Sequence, residues 1–308
     1  MKKFFVSAAA VLAIGTAFAA SQVRPVAASS RQAVFTLPKG YTKANLKKAY
    51  WYSNLSKSQQ KKWLKNKKNA AWLKKWRKIN VKGMQANTFD QSSWSESSKD
   101  NKTIVKLTNG HLNTSQSKTL ATYSLRLINQ ARAKLGLKKW KYSKGTQKLA
   151  LEISKEYVAN KKTIATGHYV PGIVRATNRV GLKLPSNYNY VEDMAGFKDG
   201  SQVTMTAMKK DIYFGLKTMM FGYRYANQSK VKQLSQYTEW EHAGDLMNTQ
   251  GGKYDGDWDY YGFNVSYTNG TYSLHYIGVP AHLKWAYGGA YWGSFKALRL
   301  RASISASS

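Results

Sequence analysis

Residues 260–279 read YYGFNVSYTNGTYSLHYIGV. Two runs rich in aromatic and β-branched residues flank Thr268-Asn269-Gly270, and Asn-Gly between such runs is a strong hairpin signal. Upstream, the apolar spacing is helical. In SKTLATYSLRLINQARAKLGL, Leu120, Leu127, Ile128, Ala131 and Leu135 recur at three-to-four spacing, and Gly136 supplies a stop. GTQKLALEISKEYVAN aligns Leu149, Ile153 and Tyr157, and MTAMKKDIYFGLKTMMFG aligns Met208, Ile212, Leu216 and Met219. Helices first and a hairpin last predict an α+β domain.

The chain of 308 residues carries 49 Lys+Arg against 15 Asp+Glu, a net charge of +34, yet 43% of it is hydrophobic. That much apolar material excludes a disordered polycation. The absence of cysteine excludes disulfide frameworks, thiolate zinc sites and cysteine nucleophiles. A field of this size gathers anions, so a polyanionic partner is expected. The charge is concentrated between Lys39 and Lys82, where 15 Lys/Arg stand with no acid.

Within that stretch Ser56-x-x-Gln59 reads as a capping box. It would open one helix through KSQQKKWLKNKKNAAWLKKWRKI, with Leu64, Ala71, Trp72, Trp76 and Ile79 on one side. Lys61, Lys62, Lys65, Lys67, Lys68, Lys74, Lys75, Arg77 and Lys78 are the predicted polyanion-binding set. The competing reading is a small helical hairpin whose tryptophans are core and whose lysines are merely solvated.

Lys2 and Lys3, a short apolar run and Ala17-Phe18-Ala19 predict a secretory signal over 1–19. No apolar run is long enough to predict a transmembrane segment, and LRLRASISASS at the C-terminus offers no apolar tail for a covalent wall anchor. A secreted chain without an anchor and with this charge is expected at the cell surface, held non-covalently by an anionic wall polymer such as teichoic acid. The layout expected is an N-terminal segment 20–38, a basic Trp/Lys-rich helical module 39–82, a polar linker 83–116, a main domain 117–282 and a C-terminal tail 283–308.

Several motifs in order carry a resemblance. Asn129, Arg132, Gly136 and Trp140 stand in LINQARAKLGLKKW, His168 in ATGHYV, Glu192 in VEDMAG and His242 in TEWEHAGDLMN. Together with the terminal strand pair, they resemble the CAP superfamily, also called SCP-like. The chain is similar in particular to the surface-exclusion proteins of Gram-positive bacteria, through MKKDIYFGLKTMMFG, YTEWEHAGDL, TLPKGYT and KGMQANTF. The resemblance implies a CAP-like α-β-α sandwich and a cleft lined by His168, Glu192 and His242. The family's second glutamate usually precedes the second histidine on a helix. Here the helix holds only Asp211, which leaves Glu239 and Glu241 as replacements.

His168 and His242 with a carboxylate could hold Zn²⁺, with water completing the site, or they make structural hydrogen bonds across the cleft with Glu192 as partner; no other cofactor is required. Asp255, Asp257 and Asp259 alternate as in calcium loops but lack the accompanying glycine and glutamate. No nucleophile elbow, Walker loop or specific nucleic-acid motif is present. The expected role is a non-catalytic binding or surface-exclusion protein. The alternatives are a metal-assisted hydrolase acting on wall peptide or peptidoglycan, and a charge-driven adhesin or aggregation factor.

Overall fold

The structure is a computed structural model describing residues 12–14, 33–89, 98–182, 184, 187–224 and 228–281. The expected tail 283–308 and His282 lie outside the described residues.

The hairpin quoted above forms the centre of the sheet. Strands β6 (Asp259–Thr268) and β7 (Thr271–Pro280) pair antiparallel in full register, from Asp259↔Pro280 to Thr268↔Thr271. Asn269 (φ 51°) and Gly270 (φ 70°) make the turn. Strand β5 (Glu192–Lys198) pairs antiparallel on the far side of β7. β1 (Leu12–Ile14), within the expected leader, lies parallel on the outer edge of β5. The short strands β2 (Leu107–Thr108), β3 (His111–Leu112) and β4 (Lys141–Tyr142) extend the β6 side.

Helices cover both faces, so the middle strands are buried on both sides rather than alternating. On one face, α5 (Lys144–Ala159) and α6 (Val170–Arg179) enclose a smaller core of Leu149, Ile153, Tyr157, Ile173, Met194 and Ile277. On the other lie α4 (Thr114–Lys134), α7 (Met205–Phe221) and α8 (Glu241–Met247). This three-layer arrangement realises the α+β sandwich. No described helix is long and apolar enough to cross a membrane.

The basic N-terminal stretch belongs to the same body. It forms α1 (Lys43–Ser53), α2 (Lys57–Leu64) and α3 (Lys67–Ala86). The capping box is present: Gln59 N donates to Ser56 Oγ at 3.3 Å, and Ser56 N donates to Gln59 Oε1 at 2.9 Å. The single helix expected from it is broken at Lys65-Asn66, because Asn66 Oδ1 accepts from Lys68 N and caps a new helix. The break resets the apolar face. Ala71 is exposed and Trp72 half-buried, while Leu73, Trp76, Ile79 and Met84 turn inward.

These inward residues join the core beneath α7 and α8. Trp76 lies 5.0 Å from Tyr41 and 6.2 Å from Trp240 between ring centroids, and Phe35 stacks on Phe221 at 5.7 Å. Tyr41 donates its hydroxyl to Met220 O at 2.5 Å, and Trp240 N donates to Ser53 Oγ at 3.0 Å. The stretch expected as a linker, 83–116, contains the end of α3 and both β2 and β3, and Val105 in it is buried. Its polarity concealed a buried end and two short sheet strands. Residues 90–97, the serine-rich centre of that stretch, lie outside the described residues.

α3 meets α7 where Gly83 faces the Phe221 ring: a Cβ there would sit 2.3 Å from a ring carbon. Gly83→Ala sets a gain of about 1 kcal/mol in helix propensity against an overpacking cost of about 1–3 kcal/mol. Phe221 is fully buried and has no room to yield, so a net loss of stability is expected in urea unfolding. An isolated fragment 117–308 is expected to unfold at lower temperature than the whole chain, because Phe221 and Trp240 lose the aromatic rings that cover them.

Candidate functional site

The site is built where β5 begins. Successive strand residues point to opposite faces, so Glu192 turns toward α5 and α6 while Asp193 turns toward α8. Asn189 fixes this start: its Oδ1 accepts from Glu192 N at 2.9 Å and its Nδ2 donates to Glu192 O at 2.8 Å.

On the α5 side, Glu192 is fully buried and saturated. His168 Nδ1 and Tyr157 OH both lie 2.7 Å from Oε2, and His275 Nδ1 lies 2.7 Å from Oε1. An ionised carboxylate only accepts, so both imidazoles present their Nδ1 protons to it. His168 is delivered by a 3-10 turn, Ile164–Thr166, whose Ile164 N donates to Ser273 Oγ on β7. Burial pushes the Glu192 carboxyl up, but the bonds from His168 and His275 outweigh it and hold it at about 2.

On the α8 side, Glu239 Oε2 takes His242 Nδ1 at 2.7 Å. Glu239 Oε1 also accepts from the Glu241 and His242 backbone N–H groups. Glu239 is therefore the carboxylate paired with the second histidine, in an i,i+3 arrangement that ties it to the first turn of α8. Burial opposes the charge of His242, but Glu239 beside it raises its pKa to about 10. His168 and His242 face each other with ring centroids 6.0 Å apart.

Glu241 projects from α8 with no side-chain hydrogen bond among the described residues. Burial, then the charge of Glu239, push its carboxyl up to about 8. Asp193 and Asp245, absent from the sequence-derived set, complete this half. Burial and the charge of Asp245 raise Asp193, and burial raises Asp245 to about 6. Tyr50, from the basic stretch, is the wall: its ring packs on α8 so closely that a Cβ at Gly244 would sit 2.1 Å from it. Burial raises the pKa of its hydroxyl, and the charges of Asp245, Glu241 and Asp193 raise it further.

α8 is positioned by the motif that carried the resemblance. Fully buried Arg132 donates to Leu246 O at 2.8 Å and Asn248 Oδ1 at 2.7 Å, and Trp140 Nε1 donates to the same Oδ1 at 2.8 Å. Asn129 exchanges two hydrogen bonds with the Trp140 backbone. Asp259 accepts from Asn248 Nδ2 at 3.0 Å, whereas Asp255 pairs with Lys47 and Asp257 with Lys138. The three alternating aspartates thus serve three different partners.

With these elements in place, the chain is similar in structure to the CAP domain of enterococcal PrgA, with a TM-score of 0.55 and 20% identity over 80% of this chain and 86% of that one. The fold is that of a CAP domain. No family model matches the sequence, and no curated protein matches it. The coverage reaches beyond the expected 117–282, in keeping with the shared core of α1–α3.

Of the chemistry open to the CAP-like cleft, metal binding meets a deficit of ligands. Carboxylates on Nδ1 are the usual supports of metal-bound imidazoles, but only two imidazole nitrogens remain. Among the described residues no group of three or more His, Asp or Glu is placed to hold an ion. Ser266 Oγ lies 2.8 Å from His275 Nε2, so Ser266, His275 and Glu192 repeat the connectivity of a hydrolase triad. Ser266 is 1% and His275 0% exposed, with the Tyr157 ring 4.6 Å from the imidazole, so no substrate reaches them. His111 sits apart on β3.

Glu192→Gln replaces an acceptor-only group by one that points a donor at donors, and is expected to cost about 3–5 kcal/mol in urea unfolding at pH 7. The Glu192 contribution is complete above its ordinary value of 4.5 and is lost as pH falls through about 2. His242 acts at the other end: its raised pKa adds stability that is complete below 6.5 and lost as pH rises through about 10. His242→Gln is expected to flatten the alkaline limb of the stability profile and leave the acid limb in place.

Proposed function

We propose that this protein is secreted, sits at the cell surface on an anionic wall polymer, and uses its CAP-like cleft to bind rather than to cleave a ligand. A surface-exclusion role accords with the sequence resemblance. One observation carries the first half. Lys61, Lys62, Lys65, Lys67, Lys68, Lys74, Lys75 and Lys78 are all exposed on α2, α3 and the break between them, and none makes an ion pair with an acid among the described residues. Arg77 departs from that set: its Nε donates to Tyr237 O at 2.9 Å, so it serves packing.

Of the tryptophans weighed as core or contact, Trp63 and Trp72 are half-buried and Trp76 is fully buried. Trp76 is core, while Trp51 is 47% exposed beside Trp63, and Lys48 lies 4.7 Å from the centroid of Trp72. Binding without cleavage is supported by the burial of Ser266 and by the missing third metal ligand. The facing His168 and His242 rings favour a second reading, metal-assisted hydrolysis of wall peptide or peptidoglycan.

Molar salt shortens the Debye length to about 3 Å, so washing cells with 1 M salt is expected to release the protein into the supernatant. Retention through that wash would instead require covalent or lectin-like attachment. Reversing Lys61, Lys65, Lys68 and Lys75 to Glu is expected to abolish sedimentation with purified walls at low salt. Stoichiometric metal in the purified protein, lost in His168→Ala, would move the balance to hydrolysis.

A further inference from the structure

A surface indole is ordinary when it stands alone. Trp51 is instead the outer end of a ladder of tryptophans that runs from solvent into the core. Ring centroids are 5.7 Å apart from Trp51 to Trp63, 5.8 Å from Trp63 to Trp72, 6.3 Å from Trp72 to Trp76 and 6.2 Å from Trp76 to Trp240. Helices α1, α2 and α3 each supply one of the first three rings. Exposure falls along the ladder: Trp51 is 47% exposed, Trp63 and Trp72 are half-buried, and Trp76 and Trp240 are buried. Side-chain hydrogen bonds hold the outer rungs. Trp72 Nε1 donates to Asn45 Oδ1 at 3.0 Å, and Asn45 Nδ2 donates to Gly40 O at 3.0 Å.

A cation is built into the same ladder. Lys48 Nζ lies 5.3 Å from the Trp63 centroid and 4.7 Å from that of Trp72. It makes no ion pair among the described residues, and no acid occurs in the sequence between Lys39 and Lys82. Trp51 and Lys48 are thus both held against one ring, Trp63. The first offers an open aromatic surface and the second an ammonium. We propose that Trp51 and Lys48, held against Trp63, form a binding site for an anionic saccharide: a pyranose ring lies on the Trp51 indole, and its carboxylate or phosphate meets the Lys48 ammonium. The C–H groups on one face of a pyranose are weakly positive and suit the negative face of an indole. The ammonium is a compact point charge for the anion.

Three other occupants fit less well. A bilayer takes up a helix with a broad apolar face, but Trp51 is the one large apolar side chain that α1–α3 expose. A single-stranded nucleic acid stacks successive bases on successive open rings, whereas the next two rungs are half-buried and lie under Lys48. A second copy of the chain would bring another +34 to the same place. A saccharide needs only one open ring and one cation. The inference rests on the wall-polymer reading above and narrows it, because the polymer must hold sugar rings beside its charges. Two sources share this chemistry: a polymer of hexuronic acids, and a polymer of sugars joined through phosphate.

The test titrates the full mature chain with tetragalacturonate and with glucosyl methyl phosphate by calorimetry at low salt. Maltotetraose supplies rings without charge, and tripolyphosphate supplies charge without rings. At least one anionic saccharide is expected to saturate and to bind more tightly than maltotetraose. Which one saturates separates the uronate source from the phosphate source. Trp51→Ala is expected to weaken that saccharide at least about tenfold and to leave tripolyphosphate binding unchanged. Lys48→Gln is expected to weaken the saccharide by a similar factor, and provides an independent reading should Trp51→Ala fold poorly. Unchanged saccharide affinity in either variant, an equal loss of tripolyphosphate in Trp51→Ala, or no saturation by either saccharide would each overturn the proposal. So would Trp51-dependent binding of phosphatidylglycerol vesicles or of a thymidine oligonucleotide that is tighter than that of both saccharides. Failure of the wall-polymer reading shows separately: there the reversal of Lys61, Lys65, Lys68 and Lys75 leaves wall sedimentation intact, whereas here saccharide affinity fails to follow Trp51.

Discussion

Two acids in succession on a strand cannot share a face, and the cleft follows from that constraint. Glu192 and Asp193 open β5 and divide the site between the two helical layers. The first gathers His168, His275 and Tyr157 from the α5 side. The second faces α8, where His242 is held by Glu239. His168 and His242 come within 6.0 Å only because both layers end at the same strand start. The hydrogen bonds of Arg132 and Trp140 to Asn248 serve the same end, since they fix α8 against the sheet.

The electrostatics are divided as sharply as the geometry. The surface of α2 and α3 is rich in lysines that make no ion pair among the described residues, yet five of the fifteen acids of the chain, Glu192, Asp193, Glu239, Glu241 and Asp245, collect in one cleft. Where donors are present, the carboxyl stays low, as at Glu192. Where they are missing, burial and like charge raise it, as at Asp193 and Glu241. Glu192 and Glu239 are therefore satisfied structural anchors, whereas Asp193 and Glu241 have no side-chain donor among the described residues.

The hairpin, the three long helices and the α+β class were legible because each rests on local chemistry: Asn269-Gly270, the stop at Gly136, apolar spacing. Which of Glu239 and Glu241 serves His242 was not, because the answer depends on the turn into α8. There Glu239 folds back onto two backbone N–H groups and Glu241 is left outside. Asp193 was hidden as the unremarked neighbour of a motif glutamate, although strand alternation alone would have sent it to the other face. His275 stood in plain view within the hairpin, but its partner Glu192 is 83 residues earlier. Tyr50 was beyond reach, since nothing local says that a lysine-rich helix lies on α8. The broken helix at Lys65-Asn66 was missed for a different reason: apolar period was followed through a residue whose side chain caps better than it continues.

The shared core of the N-terminal helices also governs the order in which this chain can fold. The bond from Tyr41 to Met220 spans 179 residues and that from Trp240 to Ser53 spans 187. A polypeptide emerging N-terminus first presents α1–α3 long before Trp240, which packs on Trp76, exists. Their apolar faces must wait through the synthesis of more than half the chain, a delay of the kind that favours aggregation. The lysines that clothe those helices repel one another between nascent chains, so the charge that marks the finished surface also keeps the unfinished one soluble.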